Sequence, residues 1–355
     1  MFKKTLISAF AMAAIVAVSA QDSTKKGIAI SGSVDAYYRF YFAGKCNNKT
    51  SFTNSNNSFE LGMATLNLDH SIGKVSATAD LGFGRRAQEF SYNDGSGLKF
   101  LGGATGNEVS TLAAIKQLYI TYAPSDKIKF TLGKFATHIG YELVDAVANR
   151  NYSMSYGFSY GPFFHTGLKA DVSLGGKTAF MVGVADPTDY STNTSPYQYL
   201  IAQLSTATTN DKLKVYVNYQ GTSSSSFKLS QFDLVVLGVI SDKLAINYDG
   251  TIQSRKFGKS STESWSSNAL YFNYDPSSKF GVTLRGEYLS DKTDLLGIGG
   301  NSIFIPTLSA NFKIDNLTII PEFRLDNAMN NIFTKSDGNF TKSASQFILA
   351  ATYKF

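Results

Sequence analysis

Short turns and long polar loops alternate along this chain, and the segments between them have a two-residue hydrophobic period. In segment 28–42, "IAISGSVDAYYRFYF", one face carries Ile30 and Val34 while the other carries Asp35 and Arg39. A two-residue period indicates a β-strand with one apolar face and one polar face. The same period recurs in segments 213–220, 280–288 and 317–326.

The connections between these strands are of two kinds. Seven tight-turn signals occur: "SIGK" at 71, "PSDK" at 124, "GGK" at 175, "TNDK" at 209, "SDK" at 241, "PSSK" at 276 and "DN" at 315. Eight longer polar stretches alternate with them, at 43–58, 84–112, 136–161, 186–196, 221–227, 254–264, 290–301 and 327–342. Seven turns and eight loops make fifteen connections, which predicts sixteen strands with both termini on the short-turn side.

This asymmetry distinguishes between all-β architectures. A soluble sandwich or propeller has no reason to place its long loops at one end. An outer-membrane barrel has short periplasmic turns, long extracellular loops and an even number of strands with an apolar outer band. The sequence therefore predicts an all-β fold, a transmembrane antiparallel up-and-down barrel of about 16 strands.

Both ends of the chain agree with this architecture. Residues 1–20 combine two early lysines, an apolar run and the small residues Ser19 and Ala20, which is typical of a cleaved signal peptide. We expect cleavage after Ala20 and a single barrel domain over 21–355, located in the bacterial outer membrane. The last strand ends in Phe355, as in many outer-membrane barrels, and its alternate residues share one apolar face.

Composition excludes several classes of function. Cys46 is the only cysteine, so neither an intramolecular disulfide nor a cysteine-based zinc site is expected. After removal of Lys3 and Lys4, 31 basic residues face 27 acidic ones, a net charge of +4 without any basic block, so no nucleic-acid partner is predicted. The sequence lacks HExxH and phosphate-loop motifs, and we predict no enzymatic activity, metal or cofactor.

Segment 133–167 resembles the putative β-barrel porins of the porin-2 type, a family of Bacteroidetes outer membranes. The motifs that carry the resemblance are Gly133-Lys134-Phe135, Gly140-Tyr141-Glu142, Asn149 with Asn151-Tyr152-Ser153, and Pro162-Phe163 with His165-Thr166-Gly167. The resemblance implies a porin, a water-filled channel for small polar solutes or ions. Met154 departs from the pattern, since the family often has Arg at this position.

Strand counting places residues 137–160 in the third long loop, which in sixteen-stranded general porins folds into the barrel. We expect Glu142, Asp145 and Arg150 to set a transverse field at a constriction of the pore. The alternative is that this loop caps the mouth or packs on a neighbouring barrel. The predicted pore lining comprises Asp35, Arg39, His165, Lys169, Asp171, Lys214, Arg285, Glu287, Glu322, Arg324 and Asp326, because charged side chains are costly when they face lipid.

Two other classes of function remain open from the residues alone. The barrel could display its loops for adhesion or assembly with partner proteins. It could instead be a barrel hydrolase, since His138 and His165 flank the third loop with Asp145 and Ser153 nearby, although any such list permits a triad. Expected partners are outer-membrane lipid and lipopolysaccharide, whose phosphates could meet Arg85 and Arg86, together with small hydrophilic solutes. A homo-oligomer is left open.

Overall fold

The computed structural model of the protein describes residues 27–94, 111–193, 195–299 and 302–355. The strands are β1 (Ala29–Tyr41), β2 (Ser58–Ile72), β3 (Val75–Phe83), β4 (Ile115–Ser125), β5 (Ile128–Ala136), β6 (Phe164–Gly175), β7 (Thr178–Ala185), β8 (Tyr199–Ala207), β9 (Leu213–Ser223), β10 (Phe227–Val239), β11 (Leu244–Phe257), β12 (Glu263–Ser277), β13 (Phe280–Ser290), β14 (Ser302–Ile314), β15 (Leu317–Ala328), β16 (Phe333–Thr334), β17 (Phe340–Thr341) and β18 (Ser343–Lys354). The predicted signal peptide, residues 1–20, lies outside the described residues.

Within the described ranges, sixteen of these strands form one closed antiparallel barrel, and each strand pairs with its sequence neighbours. The exceptions are β16 and β17, which form a separate small hairpin between β15 and β18. The barrel closes where β18 pairs with β1, for example Tyr37 with Ala350. The predicted sixteen-stranded barrel is therefore confirmed.

The two faces of the wall follow the two-residue period. Large apolar side chains point outward and are solvent-exposed in the isolated chain, as in Leu61 at 79% and Leu132 at 61%. The alternate positions point inward and carry polar groups, such as Asn218 and Gln220 on β9. Closure satisfies the backbone hydrogen bonds of every strand edge, which a hydrocarbon environment requires.

The start of β1 and the end of β18 lie at the rim that carries the short turns, as predicted. Gly32 and Phe355 exchange two backbone hydrogen bonds of 3.0 Å each. At the same rim Ile72 pairs directly with Val75 across the first short turn. The carboxyl-terminal residue thus completes the ladder beside the first strand.

Two of the eight predicted long loops are short. Residues 224–226 join β9 to β10, and residues 258–262 join β11 to β12. Their flanking polar residues continue the strand ladder, since Ser223 pairs with Lys228 and Ser254 with Ser264. The misassignment has a physical reason: ladder hydrogen bonds come from the backbone, so serine-rich ends can extend a strand.

Two of the remaining long loops carry short helices. Helix α1 (Arg85–Phe90) lies in the second loop and α2 (Tyr156–Tyr160) in the third, together with 3-10 turns at Thr111–Ala114 and Ala146–Ala148. Among the described residues, no helix is long and apolar enough to cross a membrane. We refer to residues 137–163, between β5 and β6, as the third loop.

Candidate functional site: the third loop inside the barrel

The third loop lies inside the barrel. Its residues Tyr152, Met154 and Tyr156 have no exposed surface, which an extracellular loop at the mouth would not show. Met154 packs in an apolar cluster with Phe52 of the first loop and Phe90 of α1. The first and second loops therefore cover the third loop within the barrel.

Glu142 anchors the loop to β13. Its Oε1 accepts a hydrogen bond from Arg285 in an ion pair whose two side chains are almost fully buried. Its Oε2 accepts the backbone N–H of Ser155 at 2.7 Å, and Tyr271 donates to Oε1 at 3.2 Å. The same Arg285 donates to the Ser153 carbonyl at 2.8 Å, so one guanidinium binds both a side chain and the backbone of the loop.

Asp145 and Arg150 contact two other sectors of the wall. Both carboxylate oxygens of Asp145 accept from Lys116 on β4, at 2.7 and 2.9 Å. Arg150 forms a two-bond pair with Asp275 on β12, at 2.8 and 2.9 Å. Two-bond guanidinium–carboxylate pairs fix orientation as well as distance. All three charges predicted in this loop are thus paired with charges of the barrel wall.

Wall carboxylates also bind pairs of consecutive N–H groups in the loop backbone. Glu322 on β15 accepts from the backbone of Tyr152 at 2.7 Å and of Ser153 at 3.0 Å. Glu287 on β13 accepts from Tyr156 at 3.0 Å and Gly157 at 2.9 Å. We call these two contacts the carboxylate clamps.

The start of the loop is held in a similar way by β10 and β11, which lie two or three strands from β13. Asp233 on β10 accepts the N–H of Gly140 at 3.0 Å, and Asp249 on β11 accepts that of Tyr141, also at 3.0 Å. The loop spans the lumen through its ion pairs, because Asp145 binds Lys116 on β4 and Arg150 binds Asp275 on β12, which lies eight strands away around the sixteen-stranded barrel. A cavity of about 10 Å³ remains beside Gly140, between the loop and this side of the wall.

The backbone carbonyl of Met154 accepts from Arg324 at 2.7 Å, and Arg324 pairs with Asp326 on the same strand. The Met154 side chain lies among apolar neighbours. Methionine fits irregular apolar spaces well. The loop is therefore held here through its backbone, and the residue that departs from the family pattern serves as a packing group.

The fourth loop fixes the end of the third. Asp189 accepts the N–H groups of Phe163 at 2.6 Å and Phe164 at 3.0 Å, and Tyr92 of the second loop donates to it at 3.1 Å. Burial raises the pKa of the Asp189 carboxyl to about 7, against the hydrogen bonds that favour its charged form. This residue joins three loops at a single carboxyl group.

All eleven residues predicted to line the pore lie on the inward face of the barrel. Those that the loops cover are Asp35, Arg39, His165, Arg285, Glu287, Glu322, Arg324 and Asp326, each at most 8% exposed. The partly exposed ones are Lys169, Asp171 and Lys214. The Lys169 ammonium lies 3.6 Å from the Asp171 carboxylate. Their role in conduction stays a prediction.

Sequence reasoning missed four charged partners of the third loop on the barrel wall: Lys116, Asp233, Asp249 and Asp275. Lys116 sits at a register shift between β3 and β4, so the two-residue period does not reveal its inward direction. Asp275 precedes the "PSSK" turn and reads as a turn residue. Asp233 and Asp249 do follow the period on their strands and could have been found by extending it.

The two histidines that flank the loop are near each other, with ring centroids 5.2 Å apart. The Nε2 of His165 contacts the Thr137 hydroxyl at 3.2 Å, and that of His138 contacts the Tyr219 carbonyl at 3.0 Å. Among the described residues, neither ring forms a hydrogen bond with a serine hydroxyl. In the part of the chain that the structure describes, no three His, Cys, Asp or Glu side chains are placed to hold a metal ion.

The prediction that Arg86 meets lipopolysaccharide at the rim is wrong. Arg86 has no exposed surface and donates to the Val144 carbonyl of the third loop at 3.1 Å. Its neighbour Arg85 is exposed and pairs with Glu60 and Glu89. Adjacent residues of a helix are rotated by about 100°, so one can face the loop and the next the solvent, which their sequence adjacency conceals.

Several solved structures of outer-membrane proteins share this fold. A loop L8 deletion mutant of OmpT, an outer membrane protein of Vibrio cholerae, matches with TM-score 0.62 and 12% identity over 93% of this chain and 99% of that one. The outer membrane channel DcaP of Acinetobacter baumannii matches with TM-score 0.60 and 12% identity over 94% and 100%. An anion-selective porin from Comamonas acidovorans matches with TM-score 0.58 and 10% identity over 93% and 99%.

No curated protein sequence matches the chain. A family model does: "Putative beta-barrel porin-2, OmpL-like" covers residues 27–355, which is nearly the whole chain and all of the barrel. The resemblance seen in segment 133–167 is thereby confirmed over the full barrel. The chain belongs to the putative beta-barrel porin-2, OmpL-like family and is an outer-membrane porin.

Proposed function

We propose that this porin passes small hydrophilic solutes or ions by diffusion and that its third loop sets the narrowest point of the passage. The observation that carries the proposal is the path of the loop across the lumen, from Lys116 on β4 to Asp275 on β12, eight strands apart in the barrel. A loop bonded at both sides divides the cross-section of a sixteen-stranded barrel. Solutes must pass around it or wait for it to move.

The charge arrangement favours hydrophilic solutes. Glu142, Asp145 and Arg150 lie on the loop and face Arg285, Lys116 and Asp275 on the wall. Acidic and basic groups therefore alternate around the constriction, and a field between them orients polar molecules. An apolar solute would form no favourable interaction with these charges and would be more stable in the hydrocarbon of the membrane.

The test is a single-channel recording in planar bilayers, with liposome swelling by sugars of graded size. Deleting residues 141–156 removes the loop segment inside the barrel, so conductance and the size limit should both rise. A matched control deletes residues 335–339, the exposed tip of the β16–β17 hairpin, and should leave both unchanged. Equal conductance for the wild type and the 141–156 deletion would show that the loop does not constrict the passage.

We further propose that the barrel has no catalytic activity. The residues that could form a triad have other partners: Asp145 pairs with Lys116, and His165 contacts Thr137. Hydrolysis of p-nitrophenyl esters by the purified barrel, abolished by His165→Asn in a folded variant, would contradict this. The oligomeric state is also a proposal: we expect a homo-oligomer, which analytical ultracentrifugation in detergent would test.

A further inference from the structure

Two aspartates that lie next to each other on the barrel wall hold the start of the third loop. Asp233 on β10 pairs in register with Thr251 on β11, and Asp249 lies two residues before Thr251 on the same inward face. Such diagonal neighbours of paired strands are within side-chain reach. Their carboxyl groups bind consecutive N–H groups of the loop, those of Gly140 and Tyr141, both at 3.0 Å. We call Asp233 and Asp249 the acid pair.

The two carboxyl groups of the acid pair are hydrogen-bonded to each other. The Oδ1 of Asp233 accepts from Gly140 and also from Asn218, the latter at 2.6 Å. Its Oδ2 is buried, and no N–H or hydroxyl group of the described residues donates to it. An ionised carboxylate has acceptors only, so a hydrogen bond between two carboxyl groups requires a proton on one of them. The contact therefore implies that the acid pair shares one proton.

The acid pair has no cation beside it. Its two residues are 3% and 6% exposed, and neither forms an ion pair with a basic side chain of the described residues. In contrast, Glu142 of the loop pairs with Arg285, and Asp275 of the wall pairs with Arg150. Two adjacent buried carboxylates without a cation repel each other. The site can therefore hold one negative charge but is unfavourable for two.

Other titratable groups surround the acid pair on every packed element. They are Tyr141, Glu142 and His138 of the third loop, Tyr271 on β12 and Tyr248 on β11. On β9 the neighbour is Asn218, which carries no charge. Ordinary imidazoles are mostly neutral above about pH 7 and ordinary phenols are neutral below about pH 9. None of these groups supplies a positive charge above neutral pH.

We propose that the acid pair is a proton-dependent anchor, which holds the start of the third loop while it shares one proton and releases it when that proton is lost. A rise in pH leaves two carboxylates in contact, and their repulsion falls when water hydrates them. The cavity beside Gly140, about 10 Å³, has room for a single water molecule, so full hydration requires the loop to move away. The passage should therefore widen as pH rises. This inference rests on the proposed function, because it gives the constricting loop a pH-dependent position.

Single-channel recording between about pH 6.5 and about pH 10 tests the anchor. Wild-type conductance should rise with pH. In Asp233→Asn and Asp249→Asn the amide donates to the remaining carboxylate in place of the proton, so both variants should keep the low conductance throughout. Asp69→Asn is the matched control, because Asp69 is an exposed carboxyl on β2 that bonds to Thr78 and does not bind the third loop. It should show the wild-type rise.

Infrared spectra of the folded barrel in detergent measure the proton directly, through the carbonyl band of a carboxylic acid. At about pH 7 the wild type should carry one more protonated carboxyl group than either acid-pair variant, and as many as Asp69→Asn. The additional band should disappear as the conductance rises. Migration of unheated samples on SDS gels shows whether each variant is folded.

Three results would overturn the proposal: equal carboxylic-acid absorbance in the wild type and both acid-pair variants, an additional band that persists to about pH 10, or a wild-type rise in conductance that both variants retain. Failure of the proposed function gives a different result. If the additional band titrates but deletion of 141–156 leaves conductance unchanged, the constriction is refuted and the shared proton stands. If the deletion raises conductance but the wild type shows no pH response, the constriction stands and the anchor is refuted.

Discussion

Replacing Glu322 by Gln isolates one carboxylate clamp with minimal change of shape. The carboxylate accepts from the Tyr152 and Ser153 backbone at 2.7 and 3.0 Å, and from the Ser309 hydroxyl at 2.8 Å. A glutamine offers one acceptor oxygen and turns an NH₂ group toward the remaining N–H donor. Hydrogen bonds to a charged group contribute about 1.5–3 kcal/mol each, and a neutral one about 1 kcal/mol. The net loss is about 3 kcal/mol.

That loss should appear as local opening of the loop, since Glu287 and Arg324 still hold its neighbours. If the free energy of local opening falls by about 3 kcal/mol, amide exchange becomes about 150-fold faster. Hydrogen–deuterium exchange with mass spectrometry on peptides covering 150–155, in detergent, measures it. Exchange in the β10–β11 hairpin should stay unchanged.

Glu60→Gln is the matched control, because Glu60 pairs with the exposed Arg85 and does not bind the third loop. Exchange of 150–155 at the wild-type rate in Glu322→Gln would refute the role of the clamp. Equal acceleration in both variants would refute it too, because the effect would then be a general loosening of the barrel.

Two further predictions concern neighbouring anchors. A Cβ added at Gly62 would lie 1.7 Å from Oδ2 of Asp35, and this oxygen accepts the Tyr152 hydroxyl at 2.5 Å. We therefore expect Gly62→Ala to destabilise the barrel by about 1–3 kcal/mol, measured by urea unfolding from lipid vesicles. Equal urea midpoints for the wild type and Gly62→Ala would contradict this prediction. The pKa of Asp189 is about 7 when folded, above its ordinary 3.8, so the stability it contributes is full below the ordinary pKa and is lost as pH rises through about 7. Amide exchange at Phe164, corrected for its intrinsic rate, is compared between the wild type and Asp189→Asn. The wild type should be slower than the variant by a larger factor at about pH 5 than at about pH 8.

The barrel could be predicted because its signals are local. The direction of Asp35 and Arg39 follows from their positions in one strand, and the turn at Gly73 is marked within four residues. Strand ends are less well marked, which explains the misassigned loops at 221–227 and 254–264. There the polar side chains resemble those of a loop, whereas the backbone continues its ladder.

The contents of the barrel could be predicted only in part. That the third loop carries Glu142 and Arg150 is evident from the sequence, and strand counting places it correctly. Its partners are not evident, because Glu142 and Arg285 are 143 residues apart and no local pattern relates them. Much of the loop is also held through backbone N–H groups, which every residue except proline possesses. Side-chain identity cannot reveal such bonds.

This backbone attachment explains why charges on the inward face need not face water. Glu287 and Glu322 would be unstable if they were simply desolvated, but each accepts two N–H groups of the loop. The loop in turn gains partners for donors that would otherwise be unpaired inside the barrel. If the loop leaves, water can hydrate the carboxylates and the N–H groups alike. The net free energy that holds the loop is therefore far smaller than the number of its hydrogen bonds suggests, so displacing it from a sixteen-stranded barrel does not require the wall to unfold.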